Sequence, residues 1–195
     1  MLTHIRPAVT LIALFTLLTG LALPVGISGL AGAVAPLQAG GSLVEKNGQV
    51  VGSALIGQGF TAPKYFWPRP SALMGTDPKD SSKQVATPYD ASESGASNLG
   101  PTSAALLARI KADPALAPHG ATPADAVTTS GSGLDPDISP QNAALQAPRV
   151  AAARHVPVEM VRDLIAAHTR SRLLGVFGAP AVNVLALNLA LDAGK

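Results

Sequence analysis

Hydrophobic positions crowd the N-terminal end of the chain. From Ala8 to Ala35 every residue is apolar, small or hydroxylic, and the charge-free run extends from Pro7 to Val44. An unbroken apolar run of at least ~18 residues is the pattern of a membrane-crossing helix. At ~1.5 Å per residue, about 20 residues cross a ~30 Å hydrocarbon layer, so the span fits with residues to spare. Pro24 predicts a kink or the end of the regular part. Gly20, Gly26, Gly29 and Gly32 thin one stretch, and Gly29-x-x-x-Ala33 and Ser28-x-x-x-Gly32 have the spacing that lets another helix approach closely. Gly26, Gly29, Gly32 and Ala33 are therefore candidate partner contacts. Against this stands the general abundance of Gly and Pro in membrane helices.

After a polar exit at Gln38 to Ser42 the pattern shortens. Asn47-Gly48 lies between Leu43-Val44 and Val50-Val51, which predicts a two-stranded hairpin, because a type I′ turn needs positive φ at both central residues. Tyr65-Phe66-Trp67-Pro68-Arg69-Pro70 follows and predicts an extended strip, since its prolines forbid a helix. Gly75 to Gly100 is polar with little period and predicts a long irregular loop. A helix is expected over Ser103 to Ala112, capped by Thr102 or Ser103 and stopped by Pro114. Pro118 to Pro123 predicts a turn, and Ala126 to Thr129 a short strand. Ser139-Pro140 opens a helix toward Ala147, which Pro148 is expected to interrupt before it resumes to Arg154. Pro157 opens another, with Val161, Leu164, Ile165 and His168 on one face. Leu173 to Val176 predicts a short strand, Val182 to Val184 another, and a terminal helix follows. The fold class is α+β: residues 1–7 a short tail, 8–35 the span, and 36–195 a single mixed domain.

Composition narrows the chemistry. Of 195 residues only 13% are charged and the net charge is +2. Scattered Arg and Lys argue against nucleic acid as a partner. No cysteine is present, which removes disulfides and thiolate chemistry. His4 and Arg6 precede the span, whereas Glu45 and Lys46 balance beyond it. The positive-inside rule then places the N-terminus in the cytoplasm and the domain outside, in a single-pass inner-membrane arrangement. A cleaved signal peptide, with Ala31-Gly32-Ala33 or Ala33-Val34-Ala35 as the small-residue site, is the competing reading, and it also exports the domain.

Site motifs are sparse. No P-loop, HExxH or nucleophile elbow occurs. Ser130-Gly131-Ser132-Gly133 is Gly-rich enough to form an anion nest and is a weak nucleotide candidate, set against a plain turn before a capped helix. Asp135 and Asp137 form a thin cation candidate. Tyr65, Phe66, Trp67 and Arg69 read either as core under a loop or as an aromatic and arginine contact strip. Arg149, Arg154, Arg162, Arg170 and Arg172 read as helix-surface charges. No acid, base and nucleophile assemble, so the residues themselves describe an anchored, non-catalytic domain with no cofactor or metal of its own.

Segments in a fixed order carry a resemblance. They are Arg6-Pro7-Ala8; Gly52-Ser53 with Leu55-Ile56-Gly57-Gln58 and Phe60; Tyr65-Phe66-Trp67 with Arg69-Pro70-Ser71-Ala72; Ser97-Asn98-Leu99-Gly100-Pro101; Ser130 to Pro136 through Ile138-Ser139-Pro140; Pro148-Arg149-Val150-Ala151; and Val182-Asn183-Val184 to Asp192. Together they resemble the KdpC family, the small single-span subunits of the bacterial Kdp potassium-transporting P-type ATPase. Pro68 departs from the Gly expected before Arg-Pro-Ser, and the loop from Asp77 to Asp90 is longer than the pattern requires. The resemblance implies a channel-like pore subunit and a P-type pump subunit as partners, with K+ and ATP handled by the complex. It implies an assembly role, described in the family as a catalytic chaperone that raises the pump's ATP affinity. It adds Asn98 and Asn183 to the partner-contact candidates. The Ser130 to Leu134 segment looks like an ATP-cassette signature loop, but the predicted topology sets it outside the cell, away from any pump nucleotide site. The alternative is an anchored or exported envelope ligand-binding module unrelated to transport.

Overall fold

A computed structural model of the chain describes residues 2–112 and 122–194. It falls into two compact units, residues 1–53 and 54–195, so the first hairpin goes with the apolar helix. The end of the apolar stretch at Ala35 and this division after Ser53 mark different things.

In the first unit, α1 (Ile5–Leu17), a π-helical turn (Leu18–Ala22) and α2 (Leu23–Val34) run on as one apolar helix, none of it buried. Pro24 does not end it. Proline has no N–H and its ring crowds the carbonyl four residues back, that of Gly20; the π turn widens the ladder around that position. The hydroxyls of Thr10 and Thr19 donate to the carbonyls of Arg6 and Phe15, at 2.9 and 2.7 Å, which keeps these polar groups paired within the helix. A short turn, α3 (Pro36–Ala39), leads to β1 (Leu43–Lys46) and β2 (Gln49–Ser53). Asn47 and Gly48 take φ of 55° and 76°, the I′ turn that the dipeptide predicts.

The second unit opens irregularly and then forms β3 (Met74–Asp77) and β4 (Asp80–Ala86), an antiparallel hairpin where the sequence predicts only loop. Its middle, Thr76 to Gln84, is polar on both faces, so no alternation betrays it. The turn is local chemistry: the Lys79 amide donates to Asp77 Oδ1 at 2.8 Å, an Asx turn. Residues 87–100 are irregular. Next comes α4 (Ala104–Ala112), where the Leu106 amide donates to the capping Ser103 hydroxyl at 3.4 Å. The turns expected at Pro114 and from Pro118 lie at least partly outside the described residues. Where a strand is predicted over Ala126 to Thr129, the chain makes a single helical turn, α5 (Ala124–Val127).

The core lies between three helices and a small sheet. β5 (Asp137–Ile138), β6 (Thr169–Arg170) and β7 (Ala181–Asn183) are antiparallel, with β7 in the middle. Against them pack α6 (Pro140–Arg154), α7 (Val158–Ala167) and α8 (Val184–Ala193). Ser139 caps α6 by accepting from the Asn142 amide at 3.0 Å, as the Ser-Pro start predicts. The expected interruption at Pro148 is absent: α6 runs through it. Pro148 and Ala144, whose carbonyl loses its partner, both lie on the exposed side, where water can satisfy that oxygen. Ala147 and Val150, either side of the proline, are fully buried and hold the helix in line. With Phe66, Ile138, Val161, Val182 and Leu187 also at 2% exposure or less, the core is aliphatic with one aromatic wedge. The whole is the predicted α+β class: an apolar helix followed by a mixed domain with small sheets.

Candidate partner-binding site

The aromatic strip is where side chains from distant elements converge. Pro63, Pro68 and Pro70 remove backbone donors, so no neighbouring strand could pair this segment regularly. Side-chain amides take that role instead. Asn188 on α8 accepts from the Phe66 amide at 2.8 Å and donates to the Phe66 carbonyl at 3.0 Å. Gln146 on α6 does the same for Trp67, at 2.7 and 3.0 Å. Two consecutive residues are thus paired as in a β-ladder, with two carboxamides as the second strand.

Two arginines complete the seam. Arg149 donates to the carbonyls of Pro63 and Tyr65, at 2.6 and 3.0 Å, and lies 3.7 Å from the Trp67 ring centroid. Burial lowers its pKa. Arg154 donates to the Lys64 carbonyl at 2.7 Å, to the Leu191 carbonyl at 3.0 Å, and to Asp192 at 2.9 Å, while the Tyr65 hydroxyl reaches the same carboxylate at 3.1 Å. Arg149 and Arg154 are therefore not the free surface charges that the sequence suggests; Arg162 and Arg170 do lie outside, paired with Glu159 and Asp137. Farther along, Arg69 pairs with Asp135 at 2.8 Å, and the Tyr89 hydroxyl donates to the Arg69 carbonyl at 2.5 Å. Burial pushes the Tyr89 phenol up; the Asp135 charge adds to this and Arg69 opposes it.

Each predicted contact residue can now be placed. Tyr65, Trp67 and Arg69 are half-buried in this seam, and Phe66 is wholly buried, so its side chain serves the core. Asn183 caps α8, accepting from the Ala186 amide at 3.0 Å, and donates to the Ala54 carbonyl at 3.0 Å. Asn98 is exposed at φ 52°, a left-handed turn that Asn tolerates. Gly26, Gly29, Gly32 and Ala33 belong to the first unit and are exposed; a Cβ at any of the three glycines would meet nothing within 4 Å.

The Ser130 to Gly133 segment is a packed turn. The Gly133 amide donates to the Ser130 hydroxyl at 2.9 Å and the Leu134 amide to the Ser132 hydroxyl at 3.1 Å, so neither points at an open anion site. Gly133 has φ +73°, and a Cβ there would lie 2.8 Å from Leu73. Asp135 and Asp137 each bind an arginine. Among the described residues no three His, Asp or Glu side chains group to hold a metal. Asp125 ties the α5 turn to the start of α6. Burial opposes its charge, but hydrogen bonds from the Ser139 amide and hydroxyl and from Asn142 outweigh it and hold the carboxyl below its usual value.

Two further surfaces stand out that sequence reasoning missed. A groove of about 700 Å³ runs between α7 and α8, walled by Val156, Met160, Leu164 and Leu191. The segment between β6 and β7, residues 171–180, is exposed throughout and carries Leu173, Leu174, Val176 and Phe177. The short strand predicted over Leu173 to Val176 is instead a tight turn, because Leu174 and Gly175 take φ of 52° and 74° and leave extended backbone.

The arrangement defines a class: an apolar helix long enough to span a membrane, followed by an α+β domain whose buried polar groups fix its backbone. The family to which the chain belongs is the KdpC family, described as the K+-transporting ATPase c chain, whose model matches residues 5–193. It is 58% identical to the potassium-transporting ATPase KdpC subunit of Methylobacterium nodulans over 100% of both chains. It is 57% identical to that of Bradyrhizobium diazoefficiens over 98% of each, and 54% identical to that of Methylorubrum extorquens over 98% of this chain and 97% of the other.

Proposed function

We propose that this chain works as a non-catalytic assembly subunit of a potassium-transporting ATPase. Its span packs against a channel-like pore subunit, and its domain steadies the extracytoplasmic side of the complex formed by the pore and the P-type pump. Its tie to that complex is supported by the family match along nearly the whole chain. The observation that carries the mode of action is the uncovered helix Ile5–Val34. A largely apolar helix of 30 residues, none of it buried among the described residues, needs lipid and neighbouring helices, and small residues at Gly26, Gly29, Gly32 and Ala33 favour close helix contact.

Orientation follows from the flanks. Arg6 and His4 hold the N-terminus in the cytoplasm of a single-pass inner-membrane protein. K+ and ATP are then handled by the complex, with no cofactor in this chain. An effect on the pump's ATP affinity is exerted through assembly: the turn at Ser130 to Leu134 lies outside the cell in this topology, and the amides of Gly133 and Leu134 are already engaged.

The test is co-purification. A Cβ at Gly29 meets nothing within 4 Å beyond the helix's own backbone, so Gly29→Leu adds its bulk on an exposed helix face and a loss reports a neighbour. The expected result is a loss of at least about 10-fold in pore subunit recovered in detergent, with the variant still in the membrane, which corresponds to ~1.4 kcal/mol of helix contact. Unchanged recovery would overturn the packing claim. A reporter fused at the C-terminal end that is active only in the cytoplasm would overturn the orientation.

A further inference from the structure

The long helix of the first unit breaks its own hydrogen-bond ladder at one place. In the π turn the Leu23 amide donates to the Leu18 carbonyl, five residues back, and not to Thr19, four back. The next residue, Pro24, has no N–H. The Thr19 carbonyl thus loses both the donor of an α-helix and the donor of a π-helix, and the Gly20 carbonyl loses its α donor. The Thr19 side chain does not compensate, because its hydroxyl donates to the Phe15 carbonyl at 2.7 Å. Both residues are exposed, and glycine at position 20 has no side chain to shield the opening. Depth makes this costly. Any stretch of about 20 residues within Ile5–Val34 that crosses the hydrocarbon includes Thr19. No water reaches that depth to bond the oxygen, and an unsatisfied backbone group there is strongly unfavourable.

Resting on the membrane-spanning assembly role given above, we infer that the Thr19 carbonyl is an acceptor site for a carboxamide or basic side chain, projected at mid-membrane depth from a neighbouring transmembrane helix of the ATPase. The chemistry selects this occupant. Lipid tails carry no N–H or O–H. A second copy of this chain has no suitable donor, because from Pro7 to Val34 its only polar side chains are the hydroxyls of Thr10, Thr16, Thr19 and Ser28. Those of Thr10 and Thr19 are spent within the helix. In a parallel pair Thr16 and Ser28 lie ~4.5 and ~13.5 Å from Thr19 along the axis, too far for a hydroxyl to reach. Hydroxyls on a foreign helix share the habit of bonding the carbonyl four residues back, which leaves longer N–H donors as the fitting class. Ionised carboxylates only accept and are excluded. The same face is open to approach: Ala22, Gly26 and Gly29 follow Thr19 at steps of three, four and three residues, the spacing of a helix–helix seam. A Cβ at Gly26 or Gly29 would meet nothing within 4 Å.

Thr19-Gly20 is the sole Thr-Gly pair in the chain, so carbonyl carbon-13 threonine with nitrogen-15 glycine marks this one carbonyl in a solid-state NMR spectrum. The full chain is measured in lipid bilayers, alone and co-assembled with the other ATPase subunits. The Thr19 carbonyl resonance should move downfield on assembly, as a carbonyl does when it gains a hydrogen bond. The same position in both states would overturn the inference. A photo-crosslinking amino acid in place of Leu23, in the assembled complex, locates the partner. An adduct on a transmembrane segment with an amide or basic side chain at mid-depth is expected; an adduct with lipid alone or with a second copy of this chain would overturn the inference. Pro24→Ala returns the missing N–H, closes the ladder and leaves the partner's donor unmatched. It should lower recovery of the other subunits at least about 3-fold and abolish the downfield move. Unchanged recovery would count against the bond, since alanine in place of proline favours the helix and does not unfold it. A fixed Thr19 resonance in an intact complex that Gly29→Leu still disrupts would sink the bond and leave the assembly role standing. Failure of the unaltered chain to co-purify with the ATPase subunits would remove the assembly role, and the bond with it.

Discussion

Residues 63–69 and 171–180 are both irregular, both rich in apolar side chains, and built on opposite plans. The first gives its backbone to the rest of the domain: Asn188, Gln146, Arg149 and Arg154 reach across to pair its amides and carbonyls. The second keeps its backbone bonds to itself and turns its side chains out. An apolar loop is therefore not one kind of object. Where distant polar side chains satisfy the backbone, the aromatic residues can be drawn into the core. Where the backbone satisfies itself locally, apolar side chains are free to point away, and their use must lie elsewhere.

The comparison can be broken most forcefully at Phe66. Phe66→Ala should cost about 3–5 kcal/mol in urea unfolding of the full chain in detergent, because it opens a cavity at the centre of the core. A loss under about 1 kcal/mol would mean that the strip is only a surface loop. Next is Asn188→Ala, which strands a buried N–H and a buried C=O at Phe66. The expected loss is about 2–4 kcal/mol by the same measurement. Arg149→Lys keeps the charge but loses the planar stack on Trp67 and one of its carbonyl bonds, for about 1–2 kcal/mol. Trp67 is the chain's single tryptophan, so its emission should shift to the red in that variant.

Asp125→Asn sharpens a smaller effect. The folded-state pKa of Asp125 lies below its usual value. Its contribution is thus complete above the unfolded value, near 3.9, and is lost as pH falls through the folded one. The substitution should remove about 1 kcal/mol at neutral pH and flatten the acid limb of the stability curve below about pH 4. Smallest of all is Leu174→Gly at the outward tip. Relief of the left-handed backbone and the added freedom of glycine nearly cancel, so stability should change by less than about 1 kcal/mol in either direction.

Much of this was legible where the signal is local. The apolar span, the Asn47-Gly48 hairpin, the Ser139 cap and the brief strand before the terminal helix follow from nearest-neighbour chemistry. The hairpin at Met74 to Ala86 was not, because strands polar on both faces have no period to read. The unbroken helix through Pro148 was not either, since burial of Ala147 and Val150 is a tertiary fact that overrides the proline. The seam was hidden for a stronger reason. Its bonds join residues 79 and 122 positions apart, and nothing near Gln146 or Asn188 names a partner. One trace existed: Asn188 sits polar within the apolar run Val184 to Leu191, where an unpaired amide would be costly. Tyr65, Trp67 and Arg69 pair within the seam, and the sequence alone does not tell such inward pairing from the outward contact it suggests there.

Hydrogen–deuterium exchange of the full chain, alone in detergent and within the assembled ATPase, tests the contrast most directly. The account predicts slow exchange at the Phe66 and Trp67 amides in both states, and exchange at Leu173, Gly175 and Phe177 at least about 10-fold faster than at Phe66 in the chain alone. Fast exchange at Phe66 in the isolated chain, or a turn at 173–177 that exchanges as slowly as Phe66, would contradict it.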